Sequence, residues 1–244
     1  MVYLLIPTLL IIPMSFSDAR FLTFPPHSWS FRWYENYWNS VEWTSATWVS
    51  LKIAVLTMLV ATLLGTAAAY GLRMSRGPLA SAIFMVLAAP LVVPVIFIAI
   101  GVFYLYARLN LIYTTTGLVI AHSTLALPFV VSLVGSGLKG FDENLEKCAR
   151  TLGASRWRAF LTVTLPQIRF SILSAALLAF LTSFDEVIMA LMISGGTNET
   201  LTRKMFTTLR DQIDPTIAAI STVLIGISVG SILLFQTLQA KAGK

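Results

Sequence analysis

Long apolar runs separated by short polar segments recur along this chain. Each run except the first is close to the ~20 residues that a helix needs to cross the hydrocarbon core of a bilayer. The predicted spans are residues 2–16, 47–72, 79–104, 114–136, 168–193 and 216–238. We therefore expect an all-α fold, a polytopic bundle of about six transmembrane helices that forms a single domain over residues 1–244.

The first run, residues 2–16, is shorter than the others, with only about 14 or 15 apolar residues. It lacks the basic leading segment and the small-residue cleavage site of a signal peptide, so we interpret it as a transmembrane helix. Either this helix crosses at an angle within the bundle, or the chain begins inside a span that related proteins start earlier.

Proline and small residues mark special positions within the spans. Pro90 and Pro94 predict a kink in the third span, and Pro128 predicts one in the fourth. Small residues at 65–69 and at 175–176 would let neighbouring helices approach closely.

The composition is typical of a membrane-embedded chain and excludes a water-soluble globule. Apolar residues make up 57% of the 244 positions and charged residues only 11%, against ~25% charged in soluble proteins. The net charge of +6 fits basic loops at a membrane better than nucleic-acid binding. The single cysteine, Cys148, excludes an internal disulfide and a CxxC metal or redox site.

The distribution of basic residues predicts the orientation. Ten of the 17 Lys and Arg residues fall on one predicted side, many of them in short loops against span ends, where the positive-inside rule applies best. These ten are Arg73, Arg76, Lys139, Lys147, Arg150, Arg156, Arg158, Arg169, Lys241 and Lys244. We expect both termini and loop 138–167 in the cytoplasm. Segment 17–46, rich in Trp and Tyr like an interfacial aromatic belt, is then outside.

Loop 138–167 is a charged insertion between two apolar spans. Four residues at helical spacing form one apolar stripe: Leu145, Cys148, Ala149 and Leu152. Asp142 is placed to cap this helix, Gly153 to end it, and Ser155 to cap a second short helix. The loop is then two short helices around a glycine turn, which either anchor at lipid headgroups or hold a cytosolic partner.

The loop resembles the "EAA" motif of permease subunits in binding-protein-dependent ABC importers. That motif reads Glu-Ala-Ala, three residues, Gly, nine residues and Ile-x-Leu-Pro. The matching residues here are Ala149, Leu152, Gly153, Leu165 and Pro166, with Val163 at the isoleucine position. Aligned on Gly153, Lys147 occupies the glutamate position, and Glu146 stands one residue earlier.

Other segments, in the same order along nearly the whole chain, are similar to the second permease of spermidine/putrescine-type importers. They are residues 31–34, 50–54, 64–69, 122–131, 183–187 and 215–222. The resemblance implies the permease fold of type I, MetI-like ABC importers and a bacterial inner-membrane location. It also implies uptake of a polyamine-like organic cation, or of another small solute such as an opine or an amino-acid derivative.

The resemblance also implies the partners and the docking residues. A second permease, two ATP-binding subunits and a periplasmic substrate-binding protein would complete the importer, with ATP and Mg bound by the ATPase and no cofactor in this chain. The chain has no P-loop, HExxH or GxSxG motif. The residues expected to couple to the ATPase are Glu146, Cys148, Ala149, Leu152, Gly153, Ala154, Leu165 and Pro166.

One acidic pair, Asp185 and Glu186, falls inside a predicted span. Charge at membrane depth is costly and indicates function, and carboxylates attract ammonium groups. We expect this pair and Ser183 to line the substrate pathway. The alternatives are a structural pair closing on Arg203, Arg210 or a partner subunit, and a solvated position near the outer mouth.

His122 has no second metal-type ligand at helical spacing, which favours packing or hydrogen bonding over a metal site. Three alternatives for the whole protein remain. They are an importer of an uncharged or anionic solute, a secondary transporter driven by an ion gradient without an ATPase, and a membrane scaffold that transports nothing.

Overall fold

The computed structural model of the protein describes residues 2–75 and 77–242. Arg76 and Lys244, which contributed to the predicted orientation, lie outside the described residues. The long regular elements are helices, which confirms the all-α fold class. They are α1 (Val2–Ser15), α2 (Arg32–Asn39), α3 (Val41–Met74), α4 (Pro78–Val92), α5 (Val95–Leu109), α6 (Thr115–Lys139), α7 (Glu143–Thr151), α8 (Arg156–Ala159), a π-helix (Phe160–Thr164), α9 (Leu165–Gln167), α10 (Arg169–Phe184), α11 (Ile188–Ile193), α12 (Leu201–Asp211) and α13 (Thr216–Ala242).

The chain divides into two compact units, Met1–Val49 with Thr200–Lys244, and Ser50–Glu199. In the first unit, α1 and α2 pack on α13. The side-chain amide of Asn36 donates to Oγ1 of Thr216 at 2.8 Å, which ties α2 to the start of α13. The expectation of a single transmembrane domain stays a prediction.

The aromatic residues of segment 17–46 and the start of α3 divide into two groups. Trp29, Trp38 and Trp48 are exposed, as residues of an interfacial belt should be. Trp33 and Trp43 are buried in the first unit. The aromatic-rich sequence therefore contributes to the packing of this unit as well as to its exposed surface.

In the second unit, small residues let α3, α6 and α10 pack closely. A Cβ atom added to Gly65 of α3 would lie 2.5 Å from Cγ1 of Val130 on α6, so this approach requires glycine. On α10, Ala175 and Ala179 are fully buried against the same cluster. The predicted close contacts at 65–69 and at Ala175 are confirmed.

Two of the predicted spans are single long helices, since α3 and α6 are each long and apolar enough to cross a membrane. The third predicted span consists of α4 and α5, which meet at 104° around Val93 and Pro94. This confirms a proline break, because Pro94 has no N–H to continue the helix. Segment Arg156–Gln167 and α10 meet at 78°, and counting each bent pair as one span gives up to four candidate spans among the described residues.

The predicted span 168–193 is not one helix. Helix α10 ends at Phe184, and α11 begins only at Ile188. In the gap, the side chain of Glu186 turns forward and accepts the backbone N–H of Ala190 at 3.0 Å. A carboxylate at this position satisfies a free donor of the first helical turn. The expectation that Asp185 and Glu186 occupy adjacent positions of a continuous helix is therefore wrong.

Candidate functional site

The ends of the two loop helices form as the sequence predicts. Oδ1 of Asp142 accepts the N–H of Asn144 at 2.9 Å, and Oγ of Ser155 accepts the N–H of Arg158 at 3.3 Å. Gly153 between them has a φ of 92°, a left-handed conformation that favours glycine. The glycine turn therefore sets the direction of α8 relative to α7.

The apolar stripe of α7 faces solvent. Leu152 is 89% exposed, Leu145 is 46% exposed, and Cys148 is also exposed. Trp157 of α8 adds a further large exposed apolar side chain. A helix usually turns such a stripe inward, so apolar side chains left exposed on a charged loop indicate a surface for another protein. Of the other expected coupling residues, Ala149, Ala154 and Leu165 are half-buried, and Gly153 and Pro166 are exposed.

The inner side of α7 carries a buried carboxylate, Glu146, which is only 6% exposed. Tyr70 of α3 donates its hydroxyl to Oε1 at 2.6 Å. Thr164 of the π-helix donates its hydroxyl to Oε2 at 2.7 Å. One side chain therefore joins the loop helix to a long apolar helix and to the segment that leads into α10.

The sequence placed Glu146 in the loop helix but gave no sign of its burial. The one sequence feature that set Glu146 apart is its position, one residue before the glutamate of the motif. Lys147, at that motif position, is exposed and lies 3.6 Å from Glu143 one turn earlier. Glu146, one residue before the motif position, therefore makes the inward contacts with Tyr70 and Thr164.

Arg73 at the end of α3 forms a second tie to the loop. Its Nε donates to Glu143 at 3.2 Å, its Nη2 donates to the carbonyl of Phe141 at 3.1 Å, and its guanidinium lies over the Phe141 ring. The Arg73 guanidinium, assisted by Lys147, lowers the pKa of Glu143 below its ordinary value. The carboxylate therefore stays ionised at neutral pH and keeps the ion pair.

A π-helical turn, Phe160–Thr164, leads from α8 to Leu165 and Pro166. The N–H of Leu165 reaches back to the carbonyl of Phe160, and Pro166 has no N–H to restore the α-helical pattern. The ring of Phe160 packs on Tyr70 with centroids 4.5 Å apart. Thr164 at the end of this turn is thereby placed to donate to Glu146.

The acidic pair separates in space. Asp185 is exposed, whereas the side chain of Glu186 is only 8% exposed. Nε2 of His122 lies 4.0 Å from Glu186 Oε2, and Nδ1 of His122 is 2.9 Å from Oγ of Ser183. The expected hydrogen-bonding role of His122 is confirmed. Asp185 is the member of the pair that is open to a solute.

Sequence comparison assigns the family. The family described as "Binding-protein-dependent transport system inner membrane component" matches residues 61–241. The chain belongs to this family. It is therefore a membrane-embedded transport permease subunit and not a catalytic enzyme.

Relatives agree with this membership over nearly the whole chain, and a solved structure shows the same fold. The spermidine/putrescine transport system permease protein PotC of Haemophilus influenzae is 29% identical over 98% of this chain and 93% of its own length. The putrescine transport system permease protein PotI of Escherichia coli is 31% identical over 92% of this chain and 82% of its own length. A chain of a bacterial alginate ABC transporter, solved in complex with alginate pentasaccharide-bound periplasmic protein, has the same fold, with a TM-score of 0.73. The match covers 96% of this chain and 87% of that chain at 14% sequence identity.

For a permease of this family, the two groups of expected site residues have different surroundings. The expected coupling residues lie in or next to the loop helices, with Cys148 and Leu152 exposed and Glu146 buried. Ser183 and the side chain of Glu186 are buried beside His122, and Asp185 stands next to them in the break between α10 and α11. Their roles in coupling and in the substrate pathway stay predictions.

Proposed function

We propose that the chain is the transmembrane subunit of an ATP-driven importer that carries a polyamine-like organic cation across the bacterial inner membrane. Its partners are a second permease, two ATP-binding subunits and a periplasmic substrate-binding protein. ATP and Mg bind to the ATPase. The observation that carries the proposal is the exposed apolar surface of α7 and α8, fixed from behind by Glu146, in a chain whose relatives are named as polyamine permeases.

The mechanical step follows from these contacts. When the ATPase subunits close on ATP, they move the exposed surface around Leu152. Glu146 transmits this displacement to Tyr70 on α3 and to Thr164 ahead of α10. Because packed helices shift as rigid elements, the two spans move with the loop and open the pathway to the outside. Hydrolysis then resets the bundle.

The acidic pair supports a cationic substrate. Asp185 presents an exposed carboxylate at a helix break, where a primary ammonium group can form a charge-assisted hydrogen bond with it. Glu186 is held by the N–H of Ala190 beside His122, so it fixes the break and adds negative charge behind Asp185. Ser183 acts through its contact with His122.

Asp185→Asn tests the substrate class. Loss of one charge-assisted hydrogen bond should raise the KM for putrescine uptake by about tenfold, because such a bond contributes about 1.5–3 kcal/mol. Uptake of labelled putrescine by cells that produce the complete importer measures the change. Asp211→Asn is the control, because it removes an exposed carboxylate that pairs with Arg210 on α12. Unchanged putrescine uptake by Asp185→Asn would contradict a role of this carboxylate in binding the cation.

A further inference from the structure

A cleft of about 730 Å³ opens within the second unit at the ends of three helices. The last turns of α3 and α6 and the first turns of α4 form it. Its walls are largely apolar and include Leu72, Phe84, Met85, Val131 and Leu138. Arg73, Lys139, Glu143 and Ser81 supply the charged and polar groups. Its volume falls within the ~300–1,000 Å³ of ordinary ligand pockets.

Arg73 contributes a positive charge to the lining of the cleft. Its Nε donates to Glu143 and its Nη2 to the carbonyl of Phe141. Its Nη1 is buried and donates a hydrogen bond to no atom of the described residues. The Arg73 side chain is only 14% exposed. Since Nη1 is covered, Arg73 acts on a ligand in the cleft through its positive charge rather than through a hydrogen bond from this nitrogen.

A second cation stands beside it. Lys139, the last residue of α6, is exposed, and within the described part of the chain it makes no hydrogen bond or ion pair. The one acid that lines the cleft, Glu143, is already engaged by Arg73 and by Lys147. Positive charge is therefore in excess where the apolar walls end.

The position of this charge specifies the ligand. Both α3 and α6 have the length and composition of membrane spans, so their ends lie at the depth of lipid headgroups. Basic pockets between spans at this depth suit anionic headgroups. Apolar walls that end in basic residues suit the acyl chain and the phosphate of such a lipid together.

We propose that the cleft binds an anionic glycerophospholipid. Its phosphate pairs with Lys139 and is attracted by the positive charge of Arg73, and an acyl chain lies along Leu72, Phe84 and Met85. Because Arg73 also holds Glu143 at the start of α7, the bound lipid reinforces the end of α3 that supports the loop helix.

Mass spectrometry of lipids retained by the full-length chain tests this proposal. The chain is purified in mild detergent that contains equal amounts of phosphatidylglycerol and phosphatidylcholine. We expect the wild type to retain phosphatidylglycerol preferentially. Lys139→Gln should reduce that preference about fivefold, as expected for one basic residue at an anionic surface. Lys139→Arg should restore it, and Ser81→Trp should displace the lipid by filling the cleft.

Lys147→Gln is the matched control, because Lys147 is an exposed cation near the cleft that does not line it. Its lipid preference should equal that of the wild type. Equal retention of both lipids by the wild type, or an unchanged preference in Lys139→Gln, would overturn the proposal. So would efficient crosslinking of Ser81→Cys, in a Cys148→Ser background, to another protein chain in membranes, since that chain would then occupy the cleft.

Discussion

Glu146→Ala is expected to reduce ATP-driven uptake by at least tenfold while the chain still inserts in the membrane. The substitution removes the acceptor of two hydrogen bonds, from Tyr70 and from Thr164. Hydrogen bonds to a charged group contribute about 1.5–3 kcal/mol each, and both hydroxyl donors would lose their partner at a largely buried site. The loop helix would then follow α3 and the segment ahead of α10 less closely, with Arg73 as its remaining polar tie to α3. Uptake per mole of purified transporter in proteoliposomes measures the loss.

Two control variants separate this coupling from general damage. Glu146→Gln keeps a side-chain acceptor of nearly the same size and should retain an intermediate activity. Lys147→Ala changes the exposed neighbour, whose ion pair with Glu143 contributes little, and should transport like the wild type. Uptake by Glu146→Ala that equals that of the wild type would contradict a mechanical role for this side chain.

Leu152→Glu is expected to weaken ATPase binding by at least roughly 30-fold, the effect of losing a contact worth about 2 kcal/mol at the centre of an interface. The fold should be unaffected because Leu152 is 89% exposed. A carboxylate introduced into an apolar contact surface loses its hydration without gaining a partner. Copurification of the ATPase with a tagged permease, followed by titration of the separated components, measures the effect.

Leu209→Glu provides the matched control for this surface. Leu209 is a half-exposed leucine on α12, so the substitution introduces the same charge on another part of the chain. We expect normal ATPase binding and normal yield from this variant. If Leu152→Glu also binds the ATPase normally and supports substrate-stimulated hydrolysis, the exposed surface of α7 and α8 is not the docking site.

The features that the sequence predicted well are local. The caps at Asp142 and Ser155 and the turn at Gly153 each depend on residues within one or two helical turns. The break at Pro94 follows from the missing N–H of one residue. Small residues at 65–69 also indicated a close helix contact, although not that α6 is the partner.

The features that escaped prediction depend on residues distant in sequence. Tyr70 precedes Glu146 by 76 positions, so nothing in the loop itself marks this glutamate as buried. The break at Asp185 was missed because the surrounding residues are apolar enough for a continuous span. This break is stabilised by the hydrogen bond that Glu186 accepts from the N–H of Ala190.

Uptake of labelled putrescine into proteoliposomes tests the central claim most directly. The liposomes contain this chain, the permease and ATPase that copurify with it, and the binding protein on the side from which substrate enters. We predict accumulation that requires both ATP and the binding protein and that stops when a non-hydrolysable ATP analogue replaces ATP. Accumulation driven by an ion gradient without the ATPase would contradict this function, and so would ATP hydrolysis stimulated only by a solute that is not a cation.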